Sequence, residues 1–238
     1  MLSQLDFTLQ TGALDRVQSE LAVKVHGALM HMLPEEEAAA LHRQERHPYA
    51  LFLYPSEQPD CFLGRLTALT DTMQLLTDIA ADIRTLPVHG LDQPAVWTVQ
   101  EYRRDIRFSE LKFSGGRQRT LRFLTPAVYK IHSKPCAFPD LSRLFHSAIT
   151  KLRTYEQINV NEENFRLACQ EMFVSDWGFD RVQYNITGKM QQSMIGFMQV
   201  KLPQDAAQAA LLNTVFSYAT FSGVGARTSL GMGGFLYL

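Results

Sequence analysis

The sequence predicts an α+β protein made of two tandem ferredoxin-like (RRM-like) domains, each running β-α-β-β-α-β. Three observations lead there. Short runs of alternating apolar and polar residues give way to apolar residues at three- and four-residue spacing, and the same rhythm occurs twice. A Gly115-Gly116 pair marks a hinge between the two rounds. The 238 residues, 46% hydrophobic and 20% charged, suffice for one large core or two small ones. The expected division is a first domain over residues 1–112 and a second over residues 113–238.

In the first half, LSQLDFTLQ alternates as a strand does. LDRVQSELAVKVHGALMHML then carries Leu14, Val17, Leu21, Val25, Ala28 and Met32 at helical spacing. YALFLY and FLGRLTAL read as two strands joined by the Pro-containing turn PSEQPD. DTMQLLTDIAADIR sets Met73, Leu76, Ile79, Ala80 and Ile83 on one helix face, and AVWTVQEYRR alternates again. In the second half RTLRFLTPAVYK is strand-like. Pro126 pushes its middle to an edge or a bulge, because proline has no N–H for the ladder. LSRLFHSAITKLRTY and EENFRLACQEMF are helical, and RVQYNITGKMQQ with MIGFMQVKL forms a hairpin. DAAQAALLNTVFSYAT is a further helix, and FLYL closes a short last strand.

Bulk properties exclude several classes. A formal net charge of -1 does not fit a polybasic tail protein. Cys61, Cys136 and Cys169 are odd in number and form no Cys-x-x-Cys pair, so neither a disulfide framework nor a zinc site is expected. The start shows no secretory signal and no apolar run reaches the ~18 residues of a membrane helix, so a cytoplasmic protein without a membrane partner is expected. The charge is uneven all the same. From Arg103 to Lys134 the chain carries nine Lys or Arg against Asp105 and Glu110, which suits either a phosphate backbone or a solvated strand.

Two stretches carry chemistry. FSGVGARTSLGMGGF gathers Gly223, Gly225, Gly231, Gly233 and Gly234 around Arg227, Thr228 and Ser229. It lacks the Gly-Lys-Ser/Thr ending of a P-loop and the third glycine of a dinucleotide fingerprint. Such a loop folds tightly and exposes consecutive N–H groups, or packs the two domains together. The second stretch, PEEEAAAL, starts a short helix: Pro34 suits its first position and three glutamates suit its positive end. His42 falls in the last turn, where the helix dipole favours an imidazolium, whether for proton transfer or simply to stabilise the helix end.

GVGARTSLGMGG resembles the C-terminal glycine-rich loop of the CRISPR repeat-processing endoribonucleases of the RAMP superfamily. LPEEEAAALHRQERHPYALFLY is similar to that family's short helix ending in Leu-His, and LRFLTPAVYK is a weaker third match. The resemblance implies an enzyme that cuts precursor CRISPR RNA within each repeat without metal or other cofactor. The 2′-hydroxyl attacks the adjacent phosphate, leaving a 2′,3′-cyclic phosphate and a 5′-hydroxyl. It carries His42 onto the family's catalytic histidine. Arg43, Arg46 and His47 are the nearest cations to where a family lysine follows. Where some members have a tyrosine in the preceding helix, this chain has Met30, beside His31. His42, Arg46 and His47 are therefore the catalytic candidates, and RNA rather than DNA follows from the need for a 2′-hydroxyl.

The RNA-binding candidates are Gly223, Gly225, Arg227, Thr228, Ser229, Gly231 and Gly233 of the loop, with Lys189, Arg117 and Arg119. His26 and His31 read as packed or solvated, and His89, His132 and His146 have no partner at ligand spacing. Precursor repeat RNA is the expected partner, with a CRISPR effector complex or a second copy of the chain beside it. Two other readings share the fold. One is a catalytically inactive repeat-RNA-binding RAMP protein of an effector complex; the other is an interaction module with no RNA role.

Overall fold

The computed structural model describes residues 1–12, 18–44, 46–111, 116–186 and 188–238. Leu14 and Val17 of the first helical pattern, Gly115 of the hinge pair and the 112/113 boundary lie outside the described residues. The chain forms two compact units. The first holds Met1–Ile106 with Asn185–Met190 and Ser229–Gly231; the second holds Arg107–Tyr184, Gln191–Thr228 and Met232–Leu238.

The first unit runs β1 (Leu2–Gln10), α1 (Gln18–Met30), α2 (Glu35–His42), β2 (Tyr49–Pro55), β3 (Cys61–Ala68), α3 (Gln74–Asp82), β4 (Thr85–Leu86) and β5 (Ala95–Ile106). Its sheet order is β2-β3-β1-β5-β4, so the four long strands have ferredoxin-like order. Strand β1 is central because Leu5, Phe7 and Leu9 are fully buried and alternate onto the helix face. Phe7 stacks on Trp97 with ring centroids 3.7 Å apart. On the neighbouring strand, Gly64 leaves the space that the Phe7 ring occupies. The two-residue β4 pairs with the start of β5, an addition that the alternation pattern is too short to reveal.

The second unit has β6 (Gln118–Ala127), the small hairpin β7 (Tyr129–Ile131) and β8 (Lys134–Cys136), α4 (Leu141–Tyr155) and α5 (Glu162–Gln170). It continues with β9 (Phe173–Ile186), β10 (Lys189–Lys201), α6 (Ala206–Ser222) and β11 (Phe235–Tyr237). The order β11-β6-β10-β9 repeats the ferredoxin-like arrangement. Its helices begin at side-chain caps: Asp140, Asn161 and Asp205 accept from the backbone N–H three residues on. Phe145 packs its ring edge against Phe216 at 4.7 Å and against Phe235 at 5.0 Å, joining helices to sheet.

One open expectation is decided and another is corrected. Pro126 does not put β6 at an edge, since β6 lies between β11 and β10. It lies in a bulge, because β6 uses four steps from Phe123 to Ala127 where β10 uses two from Gly196 to Met194. The hairpin also turns earlier than its apolar runs suggest. Strand β9 ends at Ile186 and β10 begins at Lys189, with Gly188 at φ 82°, so the turn falls inside RVQYNITGKMQQ.

Candidate active site

The site grows from the α2–β2 connection of the first unit. Helix α2 has Glu35, Glu36 and Glu37 in its first turn and ends on His42, with Arg43 as its C-cap. His42 is exposed, as is Arg46, while His47 is half-buried at the entrance to β2. The next strand residue but one, Tyr49, is buried beneath α1. Its hydroxyl lies 3.0 Å from His26 Nδ1 and 3.6 Å from Met30 Sδ. Ser229, from the glycine-rich segment, also hydrogen-bonds it.

The proton assignments follow from counting donors. The Ser229 hydroxyl can donate to the phenol oxygen, which offsets part of the effect of burial on Tyr49. Tyr49 then has one proton to give, and the nearer nitrogen is a better acceptor than the sulfur. In that arrangement His26 accepts at Nδ1 and carries its own proton on Nε2. Its charge state agrees. Burial, then the charges of His47 and His42, lower the His26 pKa to about 4, so the imidazole is neutral at pH 7. The His26 and His47 rings are 6.5 Å apart. Burial pushes the Tyr49 hydroxyl well above its ordinary value, so it stays protonated.

His26 and His47 thus flank one buried tyrosine, with His42 close enough for its charge to act on His26. Sequence reasoning named His42 and His47 as candidates, read His26 as packed or solvated, and gave Tyr49 no role beyond its strand. His26 sits on a helix whose apolar stripe gave no hint of its partner, and Tyr49 looked like an ordinary first strand residue. The contact joining them spans 23 positions.

The glycine-rich segment divides at Thr228 and Ser229, both buried. Ser229 to Gly231 belong to the first unit, where Gly231 forms a parallel bridge with Phe52 of β2. Gly231 has φ 91°, a conformation side chains resist. Gly223, Gly225, Arg227, Thr228 and Gly233 belong to the second unit. A Cβ on Gly233 would run into the Val224 carbonyl oxygen. Thr228 Oγ1 accepts from Lys151 Nζ at 2.7 Å, and the same amine donates to the Ser222 carbonyl at 2.8 Å. Complete burial lowers the Lys151 pKa to about 7. The two hydroxyls expected to face RNA therefore have internal partners, whereas Arg227 is exposed.

The remaining candidate cations differ in what they touch. Arg117 donates twice to the Leu202 carbonyl, at 3.1 and 2.7 Å. Arg119 donates to the Tyr237 hydroxyl and lies over its ring. Lys189 is exposed on the hairpin. All three cysteines are free thiols. No helix among the described residues is long and apolar enough to cross a membrane.

Residues 121–235 match the family described as CRISPR-associated endoribonuclease Cas6. A Cas6 endoribonuclease of Streptococcus thermophilus is 25% identical over 98% of this chain and 97% of its own length. Among solved structures, a Cas6 product complex aligns at TM-score 0.78 and 19% identity, covering 100% of this chain and 99% of that one. Thermus thermophilus Cas6 aligns at TM-score 0.73 and 20% identity, covering 100% and 98%. At those identities the structural likeness carries the fold.

Proposed function

We propose that this chain, a member of the CRISPR-associated Cas6 endoribonuclease family of the RAMP superfamily, cuts precursor CRISPR RNA within its repeats without a metal ion. In this reading the ribose 2′-oxygen attacks the adjacent phosphorus as its proton passes to His47. The P–O5′ bond breaks, and His42 supplies a proton to the leaving 5′-oxygen. One product ends in a 2′,3′-cyclic phosphate and the other begins with a 5′-hydroxyl. Arg46 faces the charge that builds on the phosphorane oxygens. Repeat RNA is the required partner, the setting is the cytoplasm, and the matured guide passes to a CRISPR effector complex.

One observation supports the reading above all: the His26 and His47 rings lie 6.5 Å apart and His26 also senses the charge of His42, two of these three imidazoles standing at the exit of α2. The 2′-hydroxyl attack needs one group to accept a proton and another to supply one, and two neighbouring imidazoles can divide those roles. His26 is a positioning residue in this account, since its Nδ1 is occupied by Tyr49 and its Nε2 already holds a proton.

The test is to incubate repeat RNA with the protein in EDTA and characterise the new ends. The account expects a cyclic phosphate and a 5′-hydroxyl, and no cutting when a single 2′-deoxy residue replaces the attacking ribose. Cleavage that needs Mg²⁺ or survives the deoxy substitution refutes the mechanism. Binding without cutting favours the catalytically inactive reading.

A further inference from the structure

The second unit has an apolar groove that the chemistry above does not use. Val174, Trp177 and Phe179 of β9, Met194 and Met198 of β10, and Phe138 ahead of α4 enclose about 500 Å³. Trp177 and Phe138 are each 64% exposed. Large apolar side chains clustered and open to water mark a contact surface more often than a packing defect. Strand β9 is also the edge of its sheet, so nothing in the sheet covers this side.

The ring geometry narrows the occupant. Trp177 and Phe179 stand 6.5 Å apart at centroids, with planes inclined by 29°. They are two residues apart on one face of β9 and make an ordinary ring pair, so together with the exposed Phe138 they offer an aromatic platform on which planar heterocycles can stack. Charge points the same way. Arg181 lines the groove, with Asp180 beside it as an acceptor for a base edge. The sheet strands of this unit carry Arg119, Arg122, Arg181 and Lys201 against Asp176 and Asp180, a balance that suits a polyanion.

We propose that the groove stacks unpaired nucleobases of single-stranded RNA, holding a flank of the substrate away from the residues that cut it. The inference rests on the RNA-processing reading above. Stacking on aromatic faces tolerates any base, so the groove contributes grip and reach more than sequence preference.

Intrinsic fluorescence gives a direct readout, because the only other tryptophan, Trp97, is buried against Phe7. The full chain is titrated with a ten-nucleotide oligouridylate and with repeat RNA carrying or lacking a single-stranded flank. Stacking is expected to quench Trp177 and shield it from acrylamide. Trp177→Ala is expected to abolish the quench and weaken binding of the flanked RNA about 10-fold or more, with a matching rise in KM. Trp177→Phe should restore most of that affinity, and removing the flank should shrink the Ala effect. Repeat RNA cut normally by the wild type without quenching Trp177, together with an unchanged KM in Trp177→Ala, overturns the groove but leaves the enzyme reading intact. A wild type that neither binds nor cuts repeat RNA overturns both. A shift from dimer to monomer in Trp177→Ala, without any change toward RNA, assigns the groove to a second copy and also overturns the inference.

Discussion

The two units place a short helix before an edge strand at equivalent points of the same fold. In the first, α2 leads into β2; in the second, α5 leads into β9. The first connection carries His42, Arg46 and His47, and the start of β2 is buried, with Gly231 bridged to Phe52. The second connection carries no histidine, and β9 opens with Phe173, Val174 and Trp177 exposed. One topology thus offers two uses for an edge. A covered edge holds side chains in fixed relation, as the buried Tyr49 does for the His26 and His47 rings that flank it. A bare edge offers rings to whatever comes from solvent. The fold itself is indifferent, and the residues at the connection decide.

The largest effect is expected where that difference is chemical. His42→Ala should lower the single-turnover cleavage rate by 10²–10⁴-fold, the usual contribution of a positioned acid or base, with RNA affinity largely kept. A loss under ten-fold would mean that the α2–β2 connection is not the reacting one. The cover on β2 can be tested next. Gly231→Ala forces a side chain into φ 91° beside Phe52 and should cost about 1–3 kcal/mol, read as a lower midpoint in urea. The same substitution at Gly188 on the hairpin, φ 82° with open space around the new carbon, should cost only the backbone strain.

Tyr49→Phe probes the arrangement of protons. It leaves His26 Nδ1 without its partner and should cost about 1–3 kcal/mol as a buried unsatisfied group. It should also displace the acid limb of the pH–rate profile. A profile that does not move would make Tyr49 a packing residue alone.

The pH dependence of stability has a definite sign. His26 titrates at about 4 in the folded chain against 6.5 unfolded, so its contribution is complete above pH 6.5 and is lost as pH falls toward 4. The slope is at most about 1.4 kcal/mol per unit. Lys151 titrates at about 7 folded against 10.5 unfolded, so it adds stability as pH rises from 7 to 10.5. The wild type minus Lys151→Met difference in unfolding free energy should therefore grow across that window. A flat difference would show that the amine reaches water.

How far the sequence carries this picture depends on the range of the contact. The alternation of β1 and the glutamate-led start of α2 are local signals, and both read correctly. Pro126 signalled an irregularity, but the choice of bulge over edge depended on β11, more than a hundred residues later. The hairpin was read from its apolar runs and missed the turn at Gly188. His26, Tyr49 and Ser229 come from three distant segments, so periodicity assigns each a separate local role. Lys151 did leave a trace. It shares the apolar face of Leu144, Ala148 and Leu152, where a lysine is out of place unless its amine has buried acceptors.

The central claim, that the residues at the exit of α2 perform the cut, is tested most directly by single-turnover cleavage of repeat RNA in EDTA by wild type and His42→Ala, at protein concentrations that saturate binding. The account predicts rapid cutting by wild type and a loss of at least about 100-fold in the variant despite full occupancy. Equal rates for the two proteins would contradict it and move the chemistry away from His42.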